Sequence, residues 1–400
     1  MQLTSRNVLL QFAHVCQQEL FPVLHTFVEG MTPQLELLVS VVSLVPLARV
    51  VSARRAGTGR PAQDRSALAT AFIAKAVLGL PTTRDLIDRL KVDRALRQVC
   101  GWRTQGAIPH ESKFSRAFAE FAENQLPQQL HEAMVEQTQK DRLIGHVARD
   151  STAIAAREHI PEAVMEEKRA TRKQRKRKPN ANGRRGREKG AVVGKYKKTR
   201  VKASDRAKRL KRQPHQKLEA MLAELPRQCD IGAKATKNGQ EQYWRGYKLH
   251  LDVADGQIPI SAVLTSASVH DSQVAIPLMT LSSQRVNYLY ELMDSAYDAD
   301  DIHAHSRKLQ HVAIIAPHPR RGTKQPSQLP KVFPVELAPE LTWAQKDRYK
   351  ERTMVERVYS RLKDEFGANQ IRVRGAAKVM AHLMFGVLAL AVDQWLRILR

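Results

Sequence analysis

The stretch from Asp347 to Phe366, DRYKERTMVERVYSRLKDEF, constrains this chain more than any other. It holds no Gly or Pro and is rich in strong helix formers, so it predicts a helix. At about 100° of turn per residue, Val355, Val358, Leu362 and Phe366 fall within roughly 80° of one another, a face for the core. Tyr349, Arg352, Glu356 and Lys363 fall on the other side, within roughly 60°. Spacing alone admits a solvated face with an Arg352–Glu356 ion pair at i, i+4. It also admits an aligned row of phenol, guanidinium, carboxylate and ammonium that does chemistry, although spacing by itself favours the solvated face.

The charge balance narrows the partners. The chain has 400 residues and a net charge of +26, which points to a polyanion, by default a nucleic acid. The segment Glu166–Lys217 alone holds 23 Lys and Arg against 4 Asp and Glu. Outside this basic insert the chain is only mildly basic. The insert includes the run Arg172–Lys178 and buries too little apolar surface to order itself, so it is expected to be disordered, or helical only on binding. Cys16, Cys100 and Cys229 form no CxxC pair, which argues against a zinc module or a disulfide framework. The N-terminus lacks a signal pattern, and the apolar runs Leu35–Val51 and Val379–Val392 are interrupted, so they are expected to be buried helices and not membrane spans.

Residues 1–140 read as helical, with Phe114, Phe118 and Phe121 on one core face. Arg94, Arg97 and Arg103 fit a helix-turn-helix that docks on DNA as well as a plain helical bundle. An apolar strand at Ile144–Ala148 leads to Asp150, expected at the strand tip. After the insert, Tyr247–Val253 alternates, Asp255-Gly256 signals a hairpin, and Ile258–Leu264 returns as partner strand. A helix follows from Asp271, which reads as an N-cap. Then come strand Tyr288–Met293 ending in Asp294, helix Asp300–Leu309, strand Val312–Ala316, and the Arg348–Phe366 helix. A last helix, Ala376–Leu399, is apolar enough to cover a sheet face. Asp252 and Asp255 read as hairpin residues and Asp298 as a helix cap. Trp343 fits either a core or loop position or the stacking of a flipped base.

The spacing of Tyr349, Arg352, Glu356 and Lys363 resembles the Tyr-Arg-Glu-Lys signature of one group of bacterial insertion-sequence transposases. Those enzymes carry an Asp-Asp-Glu catalytic core on an RNase H-like fold. Asp150-Ser151-Thr152 and Asp294-Ser295-Ala296-Tyr297-Asp298 look like that family's first and second Asp motifs. The run 93–101, followed by Pro109 and Phe114-Ser115-Arg116, is similar to its N-terminal region. The order strand, hairpin, helix, strand, helix, strand, helix is the RNase H-like order.

The resemblance implies an α/β chain: an RNase H-like mixed sheet with helices on both faces, preceded by an all-α N-terminal domain. The expected division is 1–140 helical, 141–375 catalytic with the basic insert at about 157–217, and 376–400 a C-terminal helix on the core. It implies a DNA transposase that cuts at transposon ends and joins the 3′-hydroxyl to target DNA. Asp150, Asp294 and Glu356 would be the catalytic and metal-binding carboxylates. Their oxygen donors suit Mg²⁺ or Mn²⁺, as two ions. Tyr349, Arg352 and Lys363 would hold the DNA beside the cut, and Arg172, Lys173, Arg175, Lys176, Arg177 and Lys178 would contact it from the insert. The expected partners are terminal inverted repeats and target DNA, with a homodimer in the complex and no membrane. The expected location is the bacterial cytoplasm, with the nucleoid. The alternatives are a catalytically inactive transposase-derived nucleic-acid-binding protein and a stand-alone RNase H-type nuclease.

Overall fold

The computed structural model describes residues 32–51, 63–166, 169, 205–235, 240–317 and 341–399. Helix boundaries at the start of the chain follow local capping chemistry. Pro33 occupies the first turn of α1 (Pro33–Leu44), where its missing N–H costs nothing. A short α2 (Leu47–Val50) follows. Asp64 accepts from Ser66 N at 2.8 Å to start α3 (Arg65–Val77). Thr82 and Asp85 form a capping box on α4 (Thr83–Val92), and Asp93 caps α5 (Arg94–Val99). Helices α6 (Glu111–Glu123) and α7 (Leu126–Gln139) complete the block. The Phe row of α6 is core, as expected: Phe114, Phe118 and Phe121 all surround Phe72 of α3, with ring centroids 4.9 to 6.2 Å apart.

Among the described residues six strands form one sheet: β1 (Leu143–Ala155), β2 (Asp230–Ala235), β3 (Glu241–Ala254), β4 (Ile258–Ser266), β5 (Asn287–Met293) and β6 (Val312–Ile315). β1 is central, antiparallel to β3 and parallel to β5. β4 pairs antiparallel with β3, and β6 pairs parallel with β5. The order β4-β3-β1-β5-β6 is the expected RNase H-like mixed sheet; β2, on the first half of β3, was not foreseen. The hairpin turn is where Asp255-Gly256 predicts it. Gly256 has φ +79°, and a Cβ there would meet Ile398 Cδ1 at 2.4 Å, so both backbone and space require glycine.

Helices α10 (Ser272–Arg285) and α11 (Asp300–Lys308) cover one face, joined by α8 (Asp205–Arg212) and α9 (Leu218–Ala223). The end of the basic insert is therefore ordered, against expectation. Leu210 is buried with Met221, Ala275 and Met279, and Gln213 donates to Gln273 O at 2.8 Å. Leu210 anchors this highly charged helix because α10 supplies the partner surface. The run Arg172–Lys178 lies outside the described residues.

The Arg348–Phe366 helix comes in pieces: α12 (Trp343–Tyr349), a 3₁₀ turn over Lys350–Thr353, and α13 (Met354–Asp364). The Thr353 hydroxyl donates to Lys350 O at 3.1 Å and favours the tighter turn. The foreseen core face holds: Val355, Val358, Leu362 and Phe366 are all buried. Helix α14 (Ala376–Leu399) covers β4 and also fills the centre of the helical block, with Phe385 stacked 5.9 Å from Phe72. By length and composition it could cross a membrane, but 67% of its apolar window is buried inside the protein.

Charges are buried beneath the sheet. Arg149 of β1 pairs bidentately with Asp252 of β3, at 2.8 and 2.6 Å, and lies 3.7 Å from Glu291 of β5. Ser282 of α10 donates to Asp252 at 2.6 Å, and Tyr288 donates to Glu291 at 2.7 Å. Asp252 lies in the β3 arm of the hairpin, opposite Ser261, and there it is also an interior ion-pair partner; Asp255 stands at the turn, accepting from Gly145 N and pairing with Arg142. Arg149→Met keeps the length and strands two buried carboxylates. It is expected to cost about 3–5 kcal/mol, read from the urea midpoint; a loss below about 1 kcal/mol would contradict this role.

Candidate active site

Strand register brings the first two acids together. β1 and β5 run parallel with Ala148 opposite Leu292, so two residues on, Asp150 comes level with Asp294. Neighbouring strands are about 4.8 Å apart. Asp150 is not at a strand tip: β1 continues to Ala155, because Ser151–Ala155 keep pairing with β3. The residue sits mid-strand, and the pleat aims it away from the buried Arg149. Asp294 follows the last residue of β5, where its carboxylate accepts from Ala296 N at 2.9 Å. Asp150 Oδ1 accepts from Ser151 N at 2.7 Å.

Burial first, and then the neighbouring Asp294 carboxylate, push the Asp150 carboxyl up to about 7. Burial also raises the Asp294 carboxyl, and Asp271 adds to it. Arg352 opposes both. Its guanidinium donates to Glu356 at 2.8 Å and lies 3.6 Å from Asp150 Oδ2. The foreseen Arg352–Glu356 ion pair therefore exists, and it extends to the first Asp. Glu356 itself is 56% exposed at its side chain. Among the described residues no three His, Cys, Asp or Glu side chains converge closely enough to hold a metal ion. Asp150 and Asp294 are adjacent, and Glu356 joins them through Arg352.

Tyr349 is half-buried beside this group, with the Arg352 guanidinium 5.9 Å from its ring centre. Burial, with Asp294 and Asp150 adding to it, pushes its phenol up to about 12. Lys363 is also half-buried; burial and the Lys234 ammonium hold it below the ordinary lysine range. Lys234 comes from β2, the strand that the sequence concealed. Trp343 is 81% exposed, so it is not a core residue. Arg97 is buried and donates to Leu90 O and Lys91 O, closing the end of α4 instead of facing DNA. Arg94 and Arg103 are exposed.

Tyr359 of α13 was also missed. Its buried hydroxyl donates to Asp150 O at 2.6 Å and accepts from Leu251 N at 3.0 Å. The helix that carries Glu356 is thereby fixed to the strand that carries Asp150. Only its position next to Val358 on the buried arc marks it in the sequence.

A family model described as Transposase DDE domain matches residues 141–392. The chain belongs to this family. A second model, described as a transposase domain, matches residues 24–120. No curated protein and no solved structure matches the chain. The protein is a DDE transposase of the insertion-sequence kind, an enzyme whose substrate is DNA and whose family works with divalent metal ions. The transposase's Asp150–Asp294 pair fits such an ion: two oxygen-donor carboxylates that disfavour each other's charge gain from a hard dication between them. Tyr359→Phe in this transposase leaves the Leu251 N–H unsatisfied in the interior. The expected cost is about 1–3 kcal/mol in chemical denaturation, and an unchanged midpoint would remove Tyr359 from this role.

Proposed function

We propose that Asp150, Asp294 and Glu356 are the catalytic carboxylates of DNA cleavage at the transposon ends and of transfer of the 3′-hydroxyl into target DNA. One observation carries the reading: the strand register sets Asp150 beside Asp294, while Arg352 spans Asp150 and Glu356. The three side chains would hold Mg²⁺ or Mn²⁺, two ions when fully loaded, and bound ions supply Lewis-acid stabilisation of the attacking and leaving oxygens. Arg352 neutralises the acids when DNA is absent. With DNA bound, its guanidinium grips a phosphate bidentately, Lys363 adds a point charge, and the Tyr349 hydroxyl donates to a phosphate oxygen. On this reading the chain belongs with the Tyr-Arg-Glu-Lys group.

The basic run Arg172, Lys173, Arg175, Lys176, Arg177 and Lys178 adds sequence-independent contacts to DNA. Terminal inverted repeats and target DNA are the partners, held by a homodimer, in the bacterial cytoplasm at the nucleoid. The helical segment 1–140 serves end binding, 141–375 catalysis, and 376–400 closes the core.

Asp150→Asn, Asp294→Asn and Glu356→Gln keep shape and remove a ligand charge. Each is expected to abolish Mg²⁺-dependent cleavage of an end duplex while leaving gel-shift binding of that duplex intact. Near wild-type cleavage by any one of them takes that residue out of the site. Arg352→Ala and Lys363→Ala are expected to slow end joining at least tenfold, since a charge-assisted bond contributes about 1.5–3 kcal/mol. Melting temperatures should stay near wild type. Normal joining by both variants would leave the row as a solvated face.

A further inference from the structure

Asp271 stands at the entrance of α10, where the sequence suggests a helix cap. Its side chain makes no capping bond. His270 takes that role instead, its Nδ1 accepting from Ser272 N at 3.3 Å. The Asp271 carboxylate turns to the sheet and accepts from Ser151 Oγ at 2.8 Å and from Lys248 Nζ at 2.9 Å. Lys248 is fixed from a second side, donating to Val269 O at 2.9 Å. The His250 ring lies 3.9 Å away, itself bonded to Thr265 Oγ1 at 2.9 Å. Ser151 is the hinge of the arrangement. Its hydroxyl goes to Asp271, and its backbone N–H goes to Asp150 Oδ1 at 2.7 Å.

A second feature marks the same spot. Tyr297, in the second Asp motif, is buried, and its hydroxyl makes no hydrogen bond among the described residues. It sits in the field of Asp150, Asp271 and Asp294 together. Asp271 thus lies close enough to the two acids for its charge to raise both carboxyls.

We propose that Asp271 is a positioning residue: held by Lys248, it fixes the Ser151 hydroxyl, and the Ser151 N–H then fixes the Asp150 carboxylate in the orientation that binds metal. The proposal rests on the reading of Asp150 as a metal-binding carboxylate. A carboxylate aimed by one N–H retains rotation about its Cα–Cβ bond unless the peptide carrying that N–H is itself held. Ser151 lies in a strand whose pairing with β3 sets its backbone, and the bond to Asp271 locks its side chain across to α10. The relay is short, directional and built from three separate elements, β1, β3 and α10. Supporting groups of this kind commonly change metal affinity by about 10- to 100-fold when removed.

The test uses the full chain with a duplex carrying its element's terminal repeat, and Mn²⁺ as the metal. Two quantities are read: the Mn²⁺ concentration for half-maximal cleavage, and the rise in melting temperature that Mn²⁺ produces without DNA. Ser151→Ala and Asp271→Ala are each expected to raise the half-maximal Mn²⁺ concentration about tenfold and to reduce the melting shift, with duplex affinity unchanged. Because both act through one bond, the double variant should be no worse than either single one. Ser151→Thr keeps the hydroxyl and should stay within about twofold of wild type. An unchanged Mn²⁺ midpoint in Ser151→Ala, or a double variant near the product of the singles, overturns the relay. If Asp271→Ala does not fold, Ser151→Ala against Ser151→Thr decides alone: equal midpoints overturn it, and a tenfold gap supports it. Asp150→Asn run in parallel separates the two levels. Retained cleavage there fails the underlying reading, whereas lost cleavage with a normal Ser151→Ala midpoint fails the relay only.

Discussion

Arg149 and Asp252 face each other across β1 and β3, both withdrawn from solvent and joined by two charge-assisted bonds. Removing a guanidinium and a carboxylate from water is costly, and the pair is tolerable only in this geometry, with Ser282 and the nearby Glu291 completing the set. That demand fixes how β1 sits. Side chains alternate along a strand, so Arg149 directed at α10 sends Asp150 to the opposite face. A slip of one residue would bury Asp150 under α10 and carry an arginine into the site. Parallel pairing with β5 then brings Asp150 level with Asp294. The Asp150–Asp294 register and the buried ion pair are one constraint seen from two faces of the sheet.

The third carboxylate depends on a different element. Helix α13 places its apolar face on the sheet and is pinned at Asp150 by the Tyr359 hydroxyl. Its opposite face carries Glu356, with Arg352 in the preceding 3₁₀ turn. Arg352 joins Glu356 to Asp150, so its guanidinium offsets the charge of both carboxylates. Helix α14 closes the arrangement from behind, meeting α13, the hairpin and the Phe72 cluster in one continuous core. The helical block and the sheet are thereby coupled through α14, and also through α7, whose His131 bonds Pro259 O of β4 at 3.0 Å.

Much of this was legible in the sequence. Periodicity revealed the buried face of α13, and alternation with Asp255-Gly256 revealed β3, the turn and β4. The positions of Asp150 and Asp294 followed from strands ending near acids, although β1 runs five residues past Asp150. What stayed hidden depends on partners distant in the chain. Asp252 and Arg149 lie 103 positions apart, and nothing local distinguishes an interior carboxylate from a turn carboxylate. Asp271 stands at the N-cap position, as Asp before a helix usually does, but the side-chain bond to Ser272 N comes from His270, which only the fold reveals. β2 escaped because Asp-Ile-Gly-Ala-Lys-Ala is short and weakly patterned, its Gly232 serving to admit the Trp244 ring, which a Cβ would meet at 2.3 Å. Helix α8 escaped because its buried Leu210 draws its stability from α10, a partner distant in the chain.

On the proposed function, the β1–β5 register makes Asp150 and Asp294 joint ligands of one ion. Anomalous scattering from Mn²⁺ in crystals of the full chain bound to its end duplex tests it directly. The account predicts a Mn²⁺ peak at coordination distance, about 2.1 Å, from a carboxylate oxygen of each of the two residues, with Arg352 moved from Asp150 to a phosphate. A peak held by other side chains, with Asp150 and Asp294 both beyond coordination distance, would contradict it.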